Sequence, residues 1–127
     1  MSGNEVRAWL EVFSHDIDTV RILLKEKGHA DIIIYHIHQA VEKLLKAILV
    51  KNNAAVEKIH RLDKLLNKAV VYHPELNEIA DEVLEIDFYM PKLRYPAGEH
   101  IEFDTAVKLF DKYQNIEKVL LHYADEK

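Results

Sequence analysis

The sequence predicts an all-α protein, an antiparallel up-and-down four-helix bundle with one additional short helix, and three observations predict it. Apolar side chains recur at three- and four-residue spacings over long stretches, the period of a helix with one buried face. Only three Gly and three Pro punctuate the 127 residues, fewer than the tight turns of an all-β chain require. Hydrophobic residues at 49% and charged residues at 31% make an ordinary globular balance. The length suits one domain, residues 1–127, whose core needs no disulfide or structural metal.

The first helix is set by Val6, Leu10, Phe13, Ile17, Val20 and Leu24, with a stop at Lys27-Gly28. A short turn then leads into a second long helix from Ala30, antiparallel to the first. Its buried side holds Ile34, Ile37, Val41, Leu44, Leu45 and Ile48, and it ends around Asn52-Asn53. Within it, Glu42 and Lys46 form an i, i+4 pair worth about 0.2–0.5 kcal/mol on a helix surface. After a polar loop, Leu62, Leu65, Leu66, Ala69 and Val70 mark the shorter helix, closed by Tyr72-His73-Pro74.

Pro74 suits the first turn of the next helix, which runs to about Asp87. Leu76, Ile79, Ala80, Val83 and Ile86 form its inner side, and Glu75, Glu78, Asp81, Glu82 and Glu85 a solvated outer face. Met90 to Glu102 breaks the periodicity and reads as the least helix-like segment. The last helix resumes near Phe103 with Asp104 or Thr105 as its cap. Its stripe is Ala106, Leu109, Tyr113, Ile116, Leu120 and Tyr123.

Composition removes several classes of function. Cysteine is absent, which excludes thiol catalysis and sulfur-ligated zinc and makes a reducing cytoplasm the default. The amino terminus lacks the order of a signal peptide, and no apolar run approaches the roughly 20 residues that cross a bilayer. A net charge of −5 argues against broad attraction to nucleic acid, so any such role needs a local cationic site. Scattered glycines build neither a P-loop nor a GxGxxG turn, and Ser2 and Ser14 offer no credible nucleophile.

Eight histidines raise the question of a metal. His36 and His38 lie two apart, which turns them to different sides of a helix, one edging the core and one wet. His15, His29, His60, His73 and His122 show no zinc-helix spacing. Neither a metal nor a cofactor is expected. The remaining chemistry lies in the 93–100 stretch. Arg94 is a permanent forked cation suited to phosphate, and His100 exchanges protons near neutral pH. Lys92 and Tyr95 stand beside them, and the following helix turns its amino-terminal dipole toward a bound anion.

The order of landmarks resembles the HEPN family, named for higher eukaryotes and prokaryotes and for nucleotide binding. The resemblance covers nearly the whole chain. It rests on the opening Ala8-Trp9 helix with Asp16, and on the run from Tyr35 to Ala47 with its QAxEKxxKA pattern. His60-Arg61-Leu62, Leu65-Leu66 and Leu93-Arg94-Tyr95-Pro96 complete it. It implies a helical bundle that commonly forms a homodimer and is often paired, as a toxin, with a minimal nucleotidyltransferase antitoxin. Many relatives are metal-independent endoribonucleases with an Arg, four to six residues, and a His, a spacing met here by Arg94 and His100 as catalytic residues.

On that resemblance RNA would be cut to a 2′,3′-cyclic phosphate, with Tyr95 and Lys92 in substrate binding. The alternative is a non-catalytic module that binds a nucleotide or docks the transferase through Arg94 and Tyr95. A third expectation is a structural dimer using apolar surface left on the first and last helices.

Overall fold

The computed structural model describes residues 2–56, 58–94 and 100–125, the side chains of Ser2, Lys92 and Arg94 excepted. Helix α1 spans Ser2–Lys25, α2 Ala30–Lys51, α3 Leu62–Tyr72, α4 Ala80–Phe88, α5 Met90–Arg94 and α6 Phe103–Ala124, with a 3-10 helix at Pro74–Ile79 leading into α4. No strand occurs among the described residues.

Pairs of side chains fix the direction of each helix. Along α1 and α2, Asp16 meets His36 while the earlier Trp9 lies over the later Lys46, so the two run antiparallel. His60, just before α3, bonds Glu42 of α2, and His73, just after it, meets Asn52. The chain between Asn52 and α3 therefore doubles back, and α3 runs the same way as α2. The 3-10 turn and α4 then return, bringing Asp87 to His38. Helix α6 descends again, with Lys112 on Glu85, Tyr123 against the His73 ring and Lys51 donating to the Asp125 carbonyl. The long elements thus alternate in direction, with α3 as the extra short helix.

Helix α2 packs against each of the other five, which explains its composition. Ile33, Ile34, Ile37, Ala40, Val41, Leu44, Leu45, Ala47, Ile48 and Leu49 are all fully buried, a wider apolar face than the single stripe read from the sequence. Val6, Phe13, Ile17 and Val20 of α1 and Ala106, Leu109, Tyr113, Ile116 and Leu120 of α6 close one continuous core around it. Large apolar side chains left exposed include Ile22 of α1, Tyr35 of α2 and Phe88 of α4, and none lies on α6 among the described residues. On α6 the apolar surface left is that of partly exposed side chains such as Phe103, Phe110, Val119 and Leu121.

Three local expectations are corrected. The 74–87 stretch is not one α-helix: it starts as a 3-10 turn in which Leu76 and Ile79, three residues apart, both point inward. Met90–Arg94 is helical, since Pro91 sits in the first turn, where its missing N–H costs nothing. The cap of α6 is Glu102, extended at φ −75 and ψ 150 and making no side-chain cap bond. Asp104 falls in the first turn instead, where its charge faces the helix dipole.

Candidate functional site

Arg94 is the last residue of α5, and α5 packs on α2 and α4. The Leu93 amide donates to the Tyr89 carbonyl at 3.1 Å, so α5 continues from α4 without an extended break. Tyr95 lies outside the described residues, as do the side chains of Lys92 and Arg94. His100 stands just before α6 with its side chain 82% exposed, and its Nε2 is 3.4 Å from a Glu102 carboxylate that is itself 75% exposed. A contact that long between two wet groups holds the imidazole weakly.

His15, His29 and His122 are exposed as well, whereas three other histidines are tied to carboxylates. His38 is 1% exposed, and its Nε2 meets Asp87 at 3.0 Å. His36 is only partly exposed, and its Nδ1 lies 2.8 Å from Asp16, which also accepts from Lys43. The two rings do turn to different neighbours, one on α4 and one on α1, but His38 is inside the core rather than at its edge. His60 Nδ1 is 3.1 Å from Glu42. Among the described residues no group of three or more His, Asp or Glu side chains could hold a metal ion.

Glu42 and Lys46 form the pair read from the sequence, 2.9 Å apart, but they are buried at 4% and 5% exposure. The small value of a surface pair does not apply to them. Gln39 and His60 also reach Glu42, and the Lys46 ammonium sits 5.4 Å from the centre of the Trp9 ring, so the charges leave water with several partners each. This polar stripe was missed at the sequence level. Its signal was present: His38, Glu42 and Lys46 follow each other at four-residue steps, on one face of an otherwise apolar helix.

A groove of about 500 Å³ between α4 and α6 is lined by Glu85, Tyr89, Thr105, Lys108, Lys112 and their neighbours. Lys112 donates to both Glu85 oxygens at 2.9 and 3.0 Å, and this bond raises its pKa above the usual lysine value. Lys108 pairs with Asp104 at 3.1 Å. Both cations are answered within the chain, so the groove offers little net attraction to an anion.

Fold and site together define an all-α bundle domain whose central helix ties polar groups into internal pairs, with an exposed histidine, His100, just before the last helix. The chain matches the HEPN domain model over residues 6–123 and belongs to the HEPN domain family. Compared with curated proteins and with solved structures, it finds no match in either set. None of its described helices is long and apolar enough to cross a membrane.

Proposed function

We propose that this HEPN domain is a metal-independent endoribonuclease of the toxin type, acting in the cytoplasm as a homodimer and restrained by a minimal nucleotidyltransferase partner. The observation that carries the reading is His100: its imidazole is 82% exposed and owes nothing to the core, whereas His38 and His36 are tied to carboxylates. An imidazole without a structural duty, six positions after an arginine that ends a helix, is available for proton transfer.

In the reaction His100 takes the proton of the ribose 2′-hydroxyl, and the freed oxygen attacks the neighbouring phosphorus. The bond to the 5′-oxygen breaks, the protonated His100 imidazole returns its proton to that leaving oxygen, and a 2′,3′-cyclic phosphate remains. Arg94 stabilises the extra negative charge on the phosphate oxygens. Lys92 and Tyr95 hold the backbone and a base. A symmetric dimer brings two copies of the motif to one cleft, so an acidic chain still presents paired cations to one linkage.

Single-stranded RNA incubated in excess chelator tests this. Wild-type protein should cleave it, and His100→Ala should lose about 10²–10⁴ in rate while folding normally. Equal cleavage by both, or none by the wild type, would remove the reading. A second reading is a non-catalytic nucleotide-binding or docking module, favoured by Tyr95 directly after Arg94, where a stacking ring adjoins the cation. Titration with a nucleoside triphosphate, with Arg94→Ala as control, separates it from catalysis.

A further inference from the structure

Asp87 lies in the last turn of α4 and uses one carboxylate oxygen twice. Its Oδ1 accepts from His38 Nε2 of α2 at 3.0 Å and from the Leu62 amide, the first of α3, at 3.2 Å. Arg61, the N-cap of α3, makes no capping bond of its own, because a guanidinium only donates, here to Asp63, and a free helix amide needs an acceptor. Asp87 thus supplies from a distant helix the acceptor that a cap residue normally provides, at the end of α3 where a negative charge is favoured. One oxygen joins three helices.

The chain from Asp87 to Arg94 transmits that anchoring. Tyr89 keeps helical angles, φ −76 and ψ −20. Its amide bonds the Ile86 carbonyl at 3.2 Å, and its carbonyl accepts from Leu93. With no extended residue between α4 and α5, the backbone of Arg94 follows the placement of Asp87. Apolar side chains at the α2–α4 contact would hold the helices together without fixing their register as sharply, whereas a directional bond to a ring that is 1% exposed selects one register.

We propose that His38 and Asp87 are positioning residues for Arg94: their bond sets the height of α5 along α2 and so the reach of the arginine toward the phosphate. The proposal rests on the endoribonuclease reading and is tested so that the two can fail separately. Asp87→Ala removes both bonds. His38→Leu removes only the strut to α2 and keeps an apolar side chain in the core, which guards against a variant that does not fold. Asp87→Asn keeps an acceptor oxygen for both donors, and His38→Gln keeps a donor nitrogen.

With single-stranded RNA as substrate, Asp87→Ala and His38→Leu should lower kcat by about 10²-fold, the effect of a misplacement near 1 Å, with little change in KM. Asp87→Asn and His38→Gln should recover most of it. Amide exchange at Leu93 should quicken in the first two variants, return in the conservative two, and stay unchanged at Ile116 of α6. Unaltered exchange at Leu93 would overturn the proposal whether or not RNA is cut, and so would a folded Asp87→Ala protein with wild-type kcat. No cleavage by the wild type would remove the endoribonuclease reading and leave the exchange result to judge the anchoring.

Discussion

Lys46 carries its ammonium into the core because Glu42 and the Trp9 ring receive it there. Removing one member of such a pair strands the other charge, which generally costs about 3–5 kcal/mol, whereas replacing both with apolar residues of like volume is often neutral. Glu42→Ala should therefore lower the unfolding free energy in urea by about that amount, and Glu42→Leu with Lys46→Met should restore most of it. At Tyr113, burial foremost and then the Glu117 carboxylate, 2.7 Å from its hydroxyl, push the phenol above its ordinary value near 10. The folded state favours the protonated ring, so its contribution is intact below pH 10 or so and fades as pH climbs through the alkaline range. Thermal midpoints measured against pH should fall there, and less steeply in Tyr113→Phe.

At the scale of elements, α1 and α2 end alike. Lys27 has φ 55 and Asn53 φ 60. Each is followed by an amide that reaches back to a carbonyl five residues earlier, Gly28 to Leu23 and Ala54 to Leu49, the bonding of a left-handed helix cap. Asn adopts that conformation at less cost than Lys, so the glycine lies one place beyond the position that would use it. Lys27→Gly should raise stability by about 0.5–1 kcal/mol, read as a shift in the denaturant midpoint at unchanged slope.

Most element boundaries were legible because apolar periodicity reports burial directly: the stripes of α1, α3 and α6 are buried, save Leu10, Leu24, Val70 and Tyr123, which lie half-buried at the edge of the core. The 3-10 turn was not, since Leu76 and Ile79 satisfy either helical period. Helix α5 was not, since five residues carry no stripe. The pairs that α2 makes with other segments escaped for a different reason, although Glu42 with Lys46 was read: their partners Asp16, His60 and Asp87 come from elsewhere in the fold. For the candidate site the sequence supplied the residue types and the spacing of Arg94 and His100, and the structure added the solvent exposure of His100 and the anchoring of α5.

Across the whole molecule, the central place of α2 and the net charge of −5 set how any nucleic acid would be met. The cations of the α4–α6 groove are consumed by Glu85 and Asp104, so the proposed reaction relies on Arg94 and its counterpart in a second copy. Two phosphate contacts on a single strand imply that log affinity falls with log salt with a slope of about −1 to −2. RNA-binding isotherms between low and moderate salt should give that shallow slope, and a much steeper one would point to a larger basic surface.

The parallel course of α2 and α6 joins Lys51 to Asp125, at the end of the bundle where Trp9 near the start of α1 also meets Lys46. The start of α1 and the end of α6 thus lie at one pole. His100 lies beyond the start of α6, a 22-residue helix away, or about 33 Å at the usual rise. A handle attached to an exposed side chain at that pole, such as Glu5, for immobilisation would leave the opposite pole turned toward the bulk liquid, with the proposed cleft unobstructed.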